Sequence, residues 1–378
     1  MIYERVVRKI PSNNKVSKME NIEIKTTKKI NNFRFFPEIF SQLLTTITIN
    51  DLRKYLHKKR NKQRLKTDIP LSKLFFLLER EQPINAISHQ VQLSETIELI
   101  TGTIVSNDIK QYRGLLLNIE RAMIYFCLFY WIFRFFEEHK TAIISFESYS
   151  SFQYIFESLW QVRFPFGLIR PASIIQPLIL SKIPEIKNII LFQQKNAWLI
   201  AKYIERKLKI ENTLAEPKIL SLDNVKTTGI TGPIARASGA IPSLTTPSSV
   251  PTRQSAQLFL KYAYATDNNL LNVLRVGYVE LILAINRISQ LLKNFPIKSL
   301  DTSIKPLNGE ATSSFSTVLG ESHLTVNISD NMVHYFNFIP PQMSNITGFI
   351  KILSSYPISM RPIILLFFDP EMGYDLEG

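Results

Sequence analysis

The most apolar run of the chain is short, and its length decides between a membrane span and a buried core. Residues 122–133 contain no charged side chain, and Arg121 and Arg134 stand directly on either side. A membrane-spanning helix needs about 20 consecutive apolar residues. We therefore predict a helix over 108–138 that is buried in the protein or covered by a partner subunit. We expect no transmembrane helix.

Apolar residues recur at spacings of three and four in further stretches, which predicts more helices. These stretches are 71–78, 91–101, 149–160, 187–209, 257–295 and 346–353. Alternating apolar residues over 324–328 and a turn at 329–331 predict strands near the C-terminus. The fold class predicted is mainly α, a helical bundle core with small β regions at the N- and C-terminal ends.

Length and composition predict one large domain behind a basic arm. The 378 residues are 45% hydrophobic and can bury a large core. We predict a basic N-terminal arm over 1–20 and a single domain over 21–378. Within the domain, 21–66 forms a β and helix start, 67–295 the helical core, and 296–378 a C-terminal β/α region.

Cysteine content and charge narrow the function classes. Cys127 is the single cysteine, so a disulfide framework and a Cys-based zinc or iron–sulfur site are excluded. The formal net charge of +14 favours anionic partners such as anionic lipid, acidic protein surfaces or nucleic acid. No nucleic-acid-binding motif accompanies the charge, so nucleic acid is the least favoured of the three. The N-terminus also lacks the apolar core of a signal peptide.

A run of small residues over 231–239 reads Thr-Gly-Pro-Ile-Ala-Arg-Ala-Ser-Gly. Because Gly and Pro disfavour a helix interior, we predict a loop. Its lone guanidinium, Arg236, suits an anion or a neighbouring carboxylate; a surface turn with a solvated Arg is the alternative. The run resembles the Gly-Pro-x-x-Arg-Ala-Ser-Gly signature of the large subunits of energy-converting nickel–iron hydrogenases. The hydrogenase-like subunit of the NADH–quinone oxidoreductases (complex I) carries a related version.

Other segments resemble the same family in the same order, from about residue 58 to the C-terminus. They are Arg113 to Arg121 with Glu120, Glu79-Arg80 through His89 to Glu98, Glu157 with Arg163, the helix with Arg275 and Glu280, Gly309-Glu310, Gly320-Glu321 and Asp369-Pro370. The resemblance implies a hydrogenase-large-subunit-like fold.

The cysteines of the family are missing from this chain. Nickel–iron centres are held by four thiolates, because soft sulfur ligands suit these metals. By the resemblance, the positions of those ligands fall on Gln82, Asn85, Glu371 and Tyr374. We therefore expect no bound metal and no hydrogenase activity.

The hydrogenase-like subunit of complex I also lacks these cysteines, and it binds the quinone headgroup through a His and a Tyr. The corresponding positions here are Lys59 and Leu93, and a Leu cannot donate a hydrogen bond. The candidates for a quinone or acceptor pocket are therefore His89, Gln82, Arg236 and Lys59. His89 has a purely structural role as its alternative.

Glu120 and Arg236 are also candidates for a structural ion pair or a helix-terminus anchor, and no residue is assigned as catalytic. The resemblance implies a nickel-free component of a membrane-associated oxidoreductase complex. Because the thiolates and the quinone-binding His and Tyr are missing, we expect this component to act as a scaffold. The alternative is a subunit that forms a quinone pocket and accepts electrons from a partner.

The resemblance also implies the chain's surroundings. The expected partners are an iron–sulfur small subunit, which would carry the cluster, and membrane-arm subunits, with anionic lipid nearby. The expected place is the cytoplasmic side of the membrane, as a peripheral part of the complex. We expect no cofactor bound by the chain itself, and a quinone at a shared interface.

Overall fold

The computed structural model describes residues 68–175, 178–208, 221–240, 269–293, 308–357 and 360–369. Over these ranges the chain is mainly helical with small antiparallel sheets, which confirms the predicted fold class. The predicted arm over 1–20 and the predicted start over 21–66 lie outside the described residues.

Ten α-helices and six strands are described. The helices are α1 (Leu71–Glu81), α2 (Ala86–Thr101), α3 (Asn107–Phe135), α4 (His139–Trp160), α5 (Ile183–Tyr203), α6 (Leu222–Thr228), α7 (Gly232–Ala237), α8 (Leu270–Lys293), α9 (Pro341–Ser355) and α10 (Arg361–Phe368). The strands are β1 (Ile69–Pro70), β2 (Ile169–Arg170), β3 (Ser173–Ile174), β4 (Gly309–Ser316), β5 (Glu321–Ser329) and β6 (Met332–Ile339). The short strands β2 and β3 pair with each other.

The long helix α3 is the centre of the bundle, and it packs against α4 and α8. It begins at a Ser106 cap, whose hydroxyl accepts a hydrogen bond from the Ile109 amide at 3.3 Å. Among the described helices it is the one long and apolar enough to cross a membrane, and 67% of its apolar window is buried inside the fold. That burial is typical of a core helix, as the short apolar run predicts.

Helix α8 approaches α3 closely because Gly277 faces it. A Cβ added at Gly277 would lie 3.2 Å from Phe129 Cζ and 3.4 Å from Tyr125 Cε1. The small residue therefore lets two aromatic side chains of α3 lie against the backbone of α8.

The larger sheet has the strand order β1-β6-β5-β4, with every pair antiparallel. Leu324, Val326 and Ile328 alternate along β5 and face a second hydrophobic cluster, which includes Leu93 and Ile97 of α2. The predicted turn at 329–331 joins β5 to β6. Asp330 and Asn331 both have positive φ there, at 51° and 62°, as a tight hairpin turn requires.

Several predicted elements differ in extent. The predicted loop at 231–239 contains the short helix α7, because its Pro233 occupies the first turn, where a missing N–H costs nothing. The predicted helix over 346–353 is the longer α9. The apolar tail folds as α10, whose Phe368 stacks on Phe349 of α9 at a centroid distance of 3.9 Å.

Candidate functional site

Arg236, at the end of α7, is buried in an ion pair with Glu280 of α8. Its Nη2 donates to Glu280 Oε2 at 3.0 Å and to the Val318 carbonyl at 3.3 Å. Its Nε lies 2.5 Å from Oε1, in contact as an ion pair but without the angle of a hydrogen bond. The pair therefore ties the signature segment to the bundle and to the turn before β5.

Tyr125 of α3 completes this cluster. Its hydroxyl donates a short hydrogen bond to Glu280 Oε2. Burial, and then the adjacent Glu280 carboxylate, raise the pKa of Tyr125 well above its usual value, so the hydroxyl stays protonated. The Glu280 carboxylate of α8 thus binds both the Arg236 guanidinium of α7 and the neutral Tyr125 hydroxyl of α3. The sequence pattern indicated an anion or a carboxylate for Arg236 but did not single out Glu280, because the two residues are separated by 44 positions.

The start of the signature segment is held against the sheet. Gly232 has φ +83°, and a Cβ there would lie 2.4 Å from the Leu319 carbonyl oxygen. The Thr231 amide donates to Asn345 Oδ1 at 2.7 Å, and the Glu321 amide donates to Thr231 Oγ1 at 2.9 Å. The glycine is therefore required by both its backbone conformation and the close approach of another chain segment.

Glu120 of α3 anchors the beginning of α2. Its carboxylate accepts hydrogen bonds from the Ile87 amide at 2.6 Å and the Ser88 amide at 3.1 Å, and a short one from the Ser88 hydroxyl. These are the amide groups that a helix N-terminus leaves unpaired. Burial raises the pKa of Glu120 to about 7, although the hydrogen bonds from Ser88 and Ile87 oppose the shift. Arg236 pairs with Glu280 and not with Glu120. Arg236 therefore belongs to an ion pair, whereas Glu120 anchors a helix terminus.

A second buried ion pair joins α2 to α3. Arg113 Nη1 donates to Glu98 Oε2 at 2.9 Å, and Nη2 donates to Oε1. Glu98 Oε1 also accepts from the Ala172 amide at 2.6 Å, at the turn between β2 and β3. Both residues belong to segments that resemble the family, but no sequence pattern indicated that they pair with each other.

A third ion pair lies near the end of α1. Arg170 Nη1 lies 3.2 Å from Glu79 Oε1, and its guanidinium carbon is 4.3 Å from the centre of the Phe75 ring. Burial raises the pKa of Glu79, although Arg170 opposes the shift. All three ion pairs connect different elements, so they are positioned to fix the arrangement of the helices.

Gln82 and Asn85, the positions that resemble metal ligands, lie together between α1 and α2. Both are fully buried, and Asn85 Nδ2 lies 3.4 Å from Gln82 Oε1. Gln82 Nε2 and Asn85 Oδ1 have no hydrogen-bond partner among the described residues. His89, one turn into α2, has Nδ1 2.9 Å from the Leu78 carbonyl, and its ring packs edge-on against Phe338.

A cavity of about 10 Å³, enough for roughly one water molecule, opens beside Glu120. Its lining includes Ser88, Asn118, Arg121 and Thr317 and excludes His89, Gln82 and Arg236. Lys59, Glu371 and Tyr374 lie outside the described ranges. Across those ranges, no three His, Cys, Asp or Glu side chains are grouped as metal ligands would be.

Comparison with known proteins shows similarity at the level of the fold. No family model matches the chain, and no curated protein matches it. A solved structure of the membrane-bound sulfane sulfur reductase, described as an archaeal respiratory membrane complex, is similar with a TM-score of 0.67. The identity is 16%, and the match covers 81% of this chain and 85% of the other. At this identity, the similarity shows a shared fold.

Proposed function

We propose that the chain is a nickel-free, hydrogenase-large-subunit-like component of a membrane-associated oxidoreductase complex, acting as a scaffold and not as a redox centre. The sequence resemblance and the fold shared with part of a respiratory membrane complex support this proposal. The scaffold role follows from how the signature residues are used.

The observation that carries the proposal is the buried Arg236–Glu280 pair. Arg236 is buried, and its guanidinium engages the Glu280 carboxylate of α8 and the Val318 carbonyl before β5. The carboxylate neutralises the guanidinium inside the protein, and the ion pair joins α7 to α8. Its role is to hold the signature segment in place, which is a structural role.

The donor groups at the degenerate ligand positions do not fit a nickel–iron centre. Gln82 and Asn85 carry neutral amides, and amides cannot replace bridging thiolates around soft metals. The remaining two positions, Glu371 and Tyr374, are not thiols either. No reaction step through such a centre is therefore assigned to this chain.

A second candidate function is an acceptor pocket, such as half of a quinone site shared with a partner. The buried amide atoms of Gln82 and Asn85 favour it, because unpaired polar atoms in an interior are costly unless something binds them. Against it, His89 and Arg236 are directed to Leu78 and Glu280, and neither they nor Gln82 line the cavity beside Glu120.

The proposed surroundings follow from the same resemblance. We propose an iron–sulfur subunit and membrane-arm subunits as partners, with the chain as a peripheral component at the cytoplasmic side of the membrane. The formal charge of +14 supports nearby anionic lipid.

The test is purification of the tagged full chain from its native membranes, followed by assays of iron, nickel and quinone in the co-purifying material. Two variants separate the candidate functions. The pair Arg236→Met and Glu280→Gln, made together, removes the buried charges without leaving one unpaired. Gln82→Leu removes the free amide donor at similar volume.

A scaffold predicts recovery of iron–sulfur and membrane subunits, with quinone content unchanged by either variant. An acceptor pocket predicts bound quinone that Gln82→Leu reduces about fivefold or more, since a lost buried hydrogen bond costs about 1–3 kcal/mol. Recovery of the chain without any redox partner contradicts both functions. Nickel bound to the chain would mean that the positions of the lost thiolates are assigned wrongly.

A further inference from the structure

Helix α5 has its polar and apolar side chains in an unusual arrangement. Gln193 and Asn196 are buried, at 1% and 6% exposure, and Asn196 Nδ2 donates to Ser148 Oγ of α4 at 3.0 Å. Leu191, Phe192, Trp198 and Leu199 are instead 54%, 51%, 60% and 49% exposed. Buried amides together with a cluster of large exposed apolar side chains indicate that the outer side of α5 is normally covered.

The exposed residues of α5 are spaced for packing against another helix. Three pairs are each separated by seven positions: Leu191 with Trp198, Phe192 with Leu199, and Lys195 with Lys202. Residues seven apart lie nearly above one another on a helix and form a straight seam, as in coiled coils. We call these six residues the α5 seam. Its two apolar layers are separated by a lysine.

The charges on the α5 seam have one sign. Lys195 and Lys202 are exposed, and no described ion pair involves either of them. The acidic residues of α5 and of the π-helical turn that follows it (Ile204–Leu208) are engaged elsewhere. Glu185 lies 3.0 Å from Lys182, and Glu205 lies 2.8 Å from Arg275. On α8, Asn286 accepts a hydrogen bond from Gln194 of α5 at 3.0 Å and is neutral. The seam is therefore apolar and purely cationic.

This charge pattern selects among the occupants that could cover the α5 seam. A second copy of the chain would bring lysines against lysines, which disfavours self-association. A bilayer would meet lysines along the middle of the face, with apolar residues on both sides, and this arrangement disfavours a bilayer as the occupant. A helix with apolar residues opposite the two layers and carboxylates opposite the lysines matches both features.

We propose that the α5 seam docks an acidic amphipathic helix of another protein subunit. Leu191 and Phe192 form one apolar layer with it, and Trp198 and Leu199 form the next. Lys195 and Lys202 pair with its carboxylates. The inference rests on the proposed function in one respect, namely that the chain works within a multi-subunit complex.

The experiment uses the tagged full chain purified from native membranes in mild detergent. A photo-crosslinking phenylalanine analogue replaces Phe192, and the same analogue at the exposed Phe76 of α1 is the control position. Mass spectrometry of the cross-linked peptides then identifies the segment that contacts the seam. In parallel, Lys195→Glu with Lys202→Glu is compared with Lys73→Glu with Lys110→Glu, which makes the same charge change at exposed positions elsewhere.

The expected result is a cross-link from position 192 to a predicted helix that carries Asp or Glu at spacings of three or four. Recovery of that subunit falls about tenfold or more with the seam double variant, because opposed charges become like charges. It stays unchanged with the control double variant. Reversing the acidic residues of the cross-linked helix to Lys restores recovery with the seam variant.

Two results overturn the proposal while the proposed function stands, since redox partners are still recovered in both. One is unchanged recovery of every subunit with the seam variant and no protein cross-link at position 192. The other is flotation of the purified chain on vesicles containing phosphatidylglycerol, but not on pure phosphatidylcholine, that the seam variant abolishes. Recovery of the wild-type chain without any partner overturns both the inference and the proposed function.

Discussion

At the scale of single residues, the buried Glu120 makes the free energy of unfolding depend on pH. Burial raises its pKa to about 7, whereas an unfolded chain leaves a glutamate near 4.5. Between these values the folded state holds a proton that the unfolded state has lost. The free energy of unfolding therefore falls as pH rises through this window, and the contribution of Glu120 becomes level above about pH 7.

We predict that Glu120→Gln removes this slope. A shift of this size corresponds to about 3 kcal/mol between pH 4.5 and 7, because one pKa unit is about 1.4 kcal/mol. Urea denaturation at a series of pH values measures it as the difference between variant and wild type. Glu310→Gln, at an exposed strand position, is the control and should leave the slope unchanged. Equal slopes for wild type and Glu120→Gln would contradict the assignment.

Glycine positions provide a second prediction at this scale. Gly232 and Gly229 both have positive φ, at +83° and +66°, but an added Cβ meets the Leu319 carbonyl only at Gly232. We expect Gly229→Ala to cost about 1 kcal/mol of unfolding free energy through backbone strain. Gly232→Ala should cost about 3 kcal/mol or more, because backbone atoms must also move. Denaturation midpoints measure both, and similar losses would argue against the close approach.

At the scale of elements, the buried Arg236–Glu280 pair joins α7 to α8. We predict that Arg236→Met and Glu280→Gln each lower the free energy of unfolding by about 3–5 kcal/mol, since each leaves a buried group without its partner. The double variant should lose much less than the sum. A double-mutant cycle by chemical denaturation measures the coupling. Additive losses would show that the two residues contribute independently.

Elements also show what sequence patterns could and could not predict. The apolar run over 122–133 and the alternation over 324–328 specified a core helix and a strand, because burial on one face leaves a periodic pattern. The helix α7 was missed, because Gly232 and Pro233 disfavour helix interiors but are acceptable at a helix start. The helix propensity of a residue does not tell whether that residue lies at the start of a helix or in its interior.

The candidate site was less predictable than the fold. Arg236 and Glu120 were singled out, but their partners Glu280 and Ser88 lie 44 and 32 positions away. No periodicity encodes such pairings, which depend on how α3, α2 and α8 pack. The family resemblance named the segments involved and the positions of the missing thiolates. It could not indicate that the charged groups would satisfy one another.

At the scale of the whole molecule, two hydrophobic clusters share helix α2. Ile87 and Val91 belong to the large cluster of the bundle, whereas Leu93 and Ile97 belong to the smaller cluster under the sheet. The two clusters are thus joined by opposite sides of one helix, which Glu120 anchors at its beginning. Clusters connected in this way can open as separate cooperative units.

We predict that Leu93→Ala and Val91→Ala affect different parts of the protein. Both side chains are fully buried, and truncation of such side chains costs about 1–5 kcal/mol, more for the larger Leu. Leu93→Ala should speed amide hydrogen exchange in β5 and β6 far more than in the middle of α3, because it weakens the cluster under the sheet. Val91→Ala should instead act on α3 and the sheet together, since loss of the bundle removes the surface on which the sheet rests. Exchange measured by mass spectrometry distinguishes these patterns. Uniform acceleration across α3 and the sheet by both variants would mean that the molecule opens as a single unit.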